Sequence, residues 1–134
     1  MNKFIPKKFK HIKVHCYKRY NSESRYFKLK QGDYGLKALK SGNINSTQLE
    51  ACRRSITRKM KKKGKLYVCV FPDRPTTSKS IGARMGNGKG SLFNWTFLVK
   101  KCHIIFELKG LDKNIAISSL KTAAKKLPLQ TKII

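Results

Sequence analysis

The sequence predicts an α+β domain with a mainly antiparallel or mixed sheet, two helices and a long glycine-rich loop. Three observations carry that prediction. Two segments repeat apolar residues at helical spacing. Several short runs alternate apolar and polar residues between turn formers. One glycine-rich connection, residues 76–94, has neither pattern.

Residues 1–22 are basic and weakly patterned. Lys7, Lys8, Lys10, Lys13, Lys18 and Arg19 interleave with Phe9, Ile12, Val14, Tyr17 and Tyr20. A solvated tail is the plain reading. A basic, aromatic-interleaved arm that orders on RNA is preferred, because such charge runs are commonly interaction tails. Residues 23–134 form the folded domain. Arg25–Lys30 and Tyr34–Leu39 read as short strands split by Gln31-Gly32-Asp33, and Gly42-Asn43 as the next turn. A helix is expected from about Ser46 to Lys63. Asn45 is its N-cap with Gln48 three residues on, and Thr47 with Glu50 is an alternative capping box. Leu49, Cys52, Ile56 and Met60 make its apolar stripe, and Gly64 its stop. Arg53, Arg54, Arg58, Lys59 and Lys61–Lys63 cover the rest of its surface. Dipole complementation near the C-terminus does not need that many cations, so this surface is expected to face RNA.

Lys65–Phe71 is apolar on both faces and is expected to be a central strand ended by a turn at Pro72-Asp73-Arg74-Pro75. After the loop, Trp95–Lys100 and His103–Leu108 read as a strand pair joined at Lys101-Cys102. A second helix over about Lys113–Lys126 has the stripe Ile117, Leu120, Ala124 and Leu127 and stops before Pro128. Leu129–Ile134 adds a last strand. Of the aromatic residues near the loop, Phe93 is a stacking candidate, and Trp95, at a strand start, is expected in the core.

Charge bounds the function. The chain has 134 residues, with 32 Lys+Arg against 6 Asp+Glu and a formal charge of +26. A compact domain of this length has a radius of gyration of roughly 14 Å, and that much like charge inside it is self-repulsive without a polyanion. Hydrophobic residues make up 40% of the chain, which separates it from a disordered basic tail. Six carboxylates leave little for paired-acid catalysis or hard-metal cages. Cys16, Cys52, Cys69 and Cys102 form no C-x-x-C pair, so no metal site is expected and the thiols are read as free. The first ten residues have no apolar core, so no signal peptide is expected. No apolar run approaches the ~20 residues of a spanning helix. Lysine outnumbers arginine 25 to 7, a tilt consistent with AT-rich coding.

The loop contains Ile81-Gly82-Ala83-Arg84-Met85-Gly86-Asn87-Gly88-Lys89-Gly90. Its spacing fails both nucleotide fingerprints: five residues separate Gly82 from Gly88-Lys89, Gly90 stands where a P-loop has Ser or Thr, and G-x-G-x-G is not G-x-G-x-x-G. Alternating glycines leave a thin backbone that can press against phosphates, with Arg84 as a planar fork and Lys89 as a point charge.

Arg84-Met85-Gly86-Asn87-Gly88-Lys89-Gly90 followed by Trp95, together with Lys62-Lys63-Gly64-Lys65-Leu66-Tyr67-Val68-Cys69-Val70-Phe71-Pro72, resembles the two signatures of the L-sixteen family of large-subunit ribosomal proteins. Tyr34–Leu39, Gln48–Arg54 and Ala123–Pro128 match as well, and the resemblance spans Pro6 to about Thr131. Family members usually have Trp at the position of Tyr67 and a basic residue at that of Cys69. The stretches His15–Ser24 and Ser91–Asn94 match poorly.

The resemblance implies an α/β-hammerhead-like fold and a structural, non-catalytic role in the large ribosomal subunit, with no cofactor. It implies large-subunit rRNA, tRNA and neighbouring ribosomal proteins as partners, with no membrane and no small-molecule substrate. Lys7, Lys8, Lys10, Lys13, Lys18, Arg19, Arg53, Arg54, Arg58, Lys61 and Lys62 are the expected rRNA-binding residues. Arg84, Met85, Gly86, Gly88, Lys89 and Gly90 form the loop expected to face tRNA near the peptidyl-transferase region. A start close to Pro6-Lys7-Lys8, without an apparent presequence, and the composition resemble an organelle-encoded, mitochondrial copy; a bacterial cytoplasmic protein is the alternative. The rival functional reading is another basic nucleic-acid-binding or nucleic-acid-processing protein. It lacks a catalytic constellation around His11, His15 and His103. A cationic membrane binder lacks a wide apolar helix face.

Overall fold

The computed structural model describes residues 4–8, 11–15, 27–61 and 63–134. The elements run β1 (Tyr34–Ala38), β2 (Gly42–Asn45), α1 (Ser46–Met60), β3 (Lys65–Val68), β4 (Arg74–Ser78), β5 (Ser91–Val99), β6 (Ile104–Lys109), α2 (Lys113–Ala124) and β7 (Thr131–Ile133). Among the described residues they make two antiparallel sheets, ordered β3-β6-β1-β7 and β2-β5-β4, with two helices.

The α1 N-terminus forms as its residues dictate. The Asn45 side chain accepts from the backbone of Gln48, and the Gln48 side chain accepts from the Asn45 N–H at 3.0 Å. Leu49, Cys52, Ile56 and Met60 are all buried. The helix ends earlier than expected, because Lys61 takes the left-handed conformation (φ 47°) that was expected to need Gly64. α2 buries Ala116, Ser119, Leu120 and Ala123, with Leu127 beyond its end. Its stripe is thus rotated by about one residue from the expected Ile117 and Ala124. The small residues let α2 lie close to α1, and the Ser119 hydroxyl is satisfied by the Ala116 carbonyl at 2.8 Å.

Several strand expectations are corrected. Lys65–Val68 lies at a sheet edge, and the central, most buried strand is β6. Phe106 pairs with Leu36 on one side and with Val68 on the other, and this face meets the helices in one core. The opposite face of β6 carries Glu107, whose charge masks a central strand in the sequence. β5 and β6 are sequential yet lie in different sheets, so they form no hairpin. Cys102 (φ 66°) turns the chain out of one sheet, and its N–H donates to the Ala38 carbonyl at 2.9 Å. Gly42-Asn43 begins a strand and is no turn. Arg74 and Pro75 enter β4, where an edge position spares proline a missing ladder bond. Residues 27–30 form no strand, and residues 25 and 26 lie outside the described residues. With β4 and β5 extending into the expected 76–94 loop, the irregular connection narrows to residues 79–90. Trp95 is in the interior as expected, 5% exposed.

Candidate nucleic-acid interface

The first cationic surface is the outer side of α1. Glu50, on its buried side, accepts from Arg53 Nε and Nη2, both at 2.8 Å, and from Arg54 Nε at 2.9 Å. The Arg53 hydrogen bonds, with Arg54 adding to them, overcome the burial that opposes ionisation and hold the Glu50 carboxyl down at about 2. The same pairing raises Arg53. Arg53 is therefore largely committed to Glu50, with 26% of its side chain exposed, whereas Arg54 keeps 63% exposed while its guanidinium is steered by one bond. Arg58 and Lys61 are exposed. Lys59 reaches across to α2, donating to the Ser118 hydroxyl at 2.9 Å and its carbonyl at 3.3 Å. Between the helices lies a groove of about 630 Å³ lined by Arg54, Arg58, Lys59 and Lys126, with Thr47 and Thr122 beside them.

The second surface is the loop over residues 79–90. Ile81 is wholly exposed, Met85 is 93% exposed, and Arg84 and Lys89 are exposed as well. Gly86 and Gly88 have φ of 98° and 73°, with open space where a Cβ would sit; the backbone there is bare. The Gly88 N–H donates to the Gly86 carbonyl at 2.9 Å, a tight turn at the tip. At the loop base Gly90 has the opposite reason for being glycine: a Cβ would strike the Ser78 carbonyl.

The arm meets the loop. Lys13 Nζ donates to the Lys89 carbonyl at 3.2 Å, and Lys89 Nζ donates to the Val14 carbonyl. Lys7, Lys8 and Lys13 are exposed; Lys10, Lys18, Arg19 and Lys62 lie outside the described residues. Sequence reasoning missed this reciprocal contact, which joins positions 76 apart, and it missed Lys126, which chain order places far from α1.

Glu107, His103 and Cys52 serve the fold. Glu107 is 2% exposed. Burial pushes its carboxyl up, but backbone N–H groups of Gln31 (2.8 Å), Gly32 (2.9 Å) and Lys30 (3.1 Å), with the Cys69 thiol, outweigh burial and lower it. Burial lowers His103, which stands edge-on to Phe97 at 5.5 Å. Burial pushes the Cys52 thiol up to about 11, where it is inert. Among the described residues no group of three His, Cys, Asp or Glu is placed to hold a metal ion, and no helix is long and apolar enough to cross a membrane.

An α+β domain with its cations displayed on a helix face, a thin loop and an arm is a polyanion-binding protein. Its family is shown by comparison. The family described as Ribosomal protein L16p/L10e matches residues 6–134, and the chain belongs to it. The large ribosomal subunit protein uL16 of Kosmotoga olearia is 50% identical over 103 residues, 77% of this chain and 73% of that protein. The uL16 of Petrotoga mobilis is 48% identical with the same coverage. The protein named uL16c from Helicosporidium sp. subsp. Simulium jonesii is 44% identical over 131 residues, 98% of this chain and 96% of its own length.

Proposed function

We propose that the chain neutralises large-subunit rRNA with its arm and the outer face of α1, and presents the loop tip to tRNA near the peptidyl-transferase region. As a member of its family the chain is a structural constituent of the large ribosomal subunit, associated with rRNA and ribosomal proteins, and it is no enzyme. The observation that carries the finer reading is the loop. Arg84 and Met85 stand on a bare glycine backbone that adds nothing to the core, an arrangement suited to close approach to nucleic acid. In this reading residues 1–22 are the RNA-binding arm and residues 23–134 a single rRNA-binding domain. Lys7, Lys8, Lys10, Lys13, Lys18, Arg19, Arg53, Arg54, Arg58, Lys61 and Lys62 face rRNA; Arg84, Met85, Gly86, Gly88, Lys89 and Gly90 face tRNA. Two small antiparallel sheets, with α1 touching both and α2 packed on α1 and on the β1/β7 end of one, support the α/β-hammerhead-like architecture. The excess of lysine over arginine favours an organelle-encoded, mitochondrial copy on the ribosome.

The test is the salt dependence of binding to large-subunit rRNA. With about six to ten phosphates neutralised, affinity should fall about 10³–10⁵-fold between about 50 and 200 mM salt. Salt-insensitive binding would overturn the proposal.

A further inference from the structure

We infer that the α1–α2 groove is an rRNA site in its own right, one that seats a run of backbone phosphates between the two helices. It rests on the rRNA reading above and adds Thr122 of α2 and Lys126 just past that helix, which that reading does not use.

Four features of the groove point to this ligand. Its cations come from two separate segments: Arg54, Arg58 and Lys59 of α1 on one wall, and Lys126, in the turn just past the end of α2, on the other. Arg54 and Arg58 are four residues apart, so they stand about 6 Å from each other along α1; that interval suits successive phosphates of one strand. Among the described residues the one carboxylate on the lining, Glu50, is already paired with Arg53 and Arg54. It repels little and instead steers the Arg54 guanidinium, which lowers the ordering cost of a phosphate contact. Finally, the Lys59–Ser118 bonds brace the two helices beside the groove, and the buried stripes of α1 and α2 pack against each other beneath it. The hydroxyls of Thr47 and Thr122 add neutral donors of the kind that contact phosphate oxygens. Among the described residues the lining holds no large apolar side chain, Ala51 being its apolar member, and its charge selects a polyanion.

The experiment measures binding of the full chain to large-subunit rRNA across a salt series. Arg58→Ala/Lys126→Ala removes one cation from each wall and leaves the Glu50 ion pairs intact. Its log K against log salt should be shallower than wild type by about 2. The control Lys65→Ala/Lys109→Ala removes two exposed lysines paired across β3 and β6 and should change the slope less. A second variant, Ser55→Glu, places a carboxylate on the groove lining and should weaken binding in the same direction, which decides the matter if the double variant fails to fold. A steep wild-type slope that both groove variants leave unchanged overturns the groove while the rRNA reading stands; an acidic segment of a neighbouring protein would then be its occupant. An equal drop in the control also overturns it, since the charge would be diffuse. A flat wild-type slope overturns the rRNA reading itself.

Discussion

The loop over residues 79–90 and the outer face of α1 carry the same kind of charge on opposite kinds of support. The α1 cations stand on a helix whose other side is buried to the last atom at Leu49, Cys52 and Ile56, and Glu50 orients two of them. Arg84 stands on a backbone with positive φ on either side and open space around it. Among the described residues the contacts that tie the loop to the rest of the chain are at its base, by Gly90 against Ser78 and by Lys89 against the arm. The difference separates two tasks. A phosphate surface that must hold one geometry belongs on packed helices, and a probe that must reach between nucleotides belongs on a thin loop. Stability and function should accordingly come apart in one region and stay linked in the other.

The largest effect is expected where both regions share support. Phe106→Ala empties the centre of β6 and should cost about 3–5 kcal/mol, measured by denaturant unfolding, with loss of RNA binding by the helix face and the loop alike. Gly90→Ala tests the loop base. The added Cβ meets the Ser78 carbonyl, so about 1–3 kcal/mol should be lost, with amide exchange accelerating first in β4 and β5 while α1 keeps its protection.

Glu50→Gln sharpens the helix side. The Glu50 carboxyl titrates near 2 in the folded chain against an ordinary 4.5, so its contribution is complete above the ordinary value and is lost as pH falls from about 4.5 through 2. Wild type should therefore lose on the order of 2 kcal/mol over that window, measured by denaturant midpoints, and the variant should lose less. The smallest effect is expected at the tip: Arg84→Ala should move stability by no more than about 0.5 kcal/mol, read from the thermal midpoint.

Much of this contrast was legible in the chain. The Asn45–Gln48 cap, the α1 stripe, the interior Trp95 and the two family signatures all follow from local spacing. What was not legible depended on partners distant in sequence. β6 hid as the central strand because Glu107 interrupts its apolar run, and only the folded segment 30–32 supplies the N–H groups that satisfy that carboxylate. The α2 stripe was misplaced because Ala116 and Ala123 do the packing that larger Ile117 was expected to do. β5 and β6 looked like a hairpin because they are neighbouring apolar runs with a short connection, whereas their pairing with the distant β2 and β4 and with β1 and β3 assigns them to different sheets. On the candidate site, the loop tip was readable residue by residue, while the arm–loop contact and the Lys126 wall of the groove were not.

The most direct measurement places two variants in ribosomes side by side. Large subunits are isolated from cells expressing Arg84→Ala or Arg58→Ala/Lys126→Ala, and both the amount of this protein per subunit and the rate of aminoacyl-tRNA binding are determined. Arg84→Ala should be incorporated at the wild-type level and slow tRNA binding; the groove variant should be under-incorporated, with normal tRNA binding in those subunits that contain it. Loss of the Arg84→Ala protein from subunits, with tRNA binding unaffected where it remains, would contradict the division of labour between loop and helices.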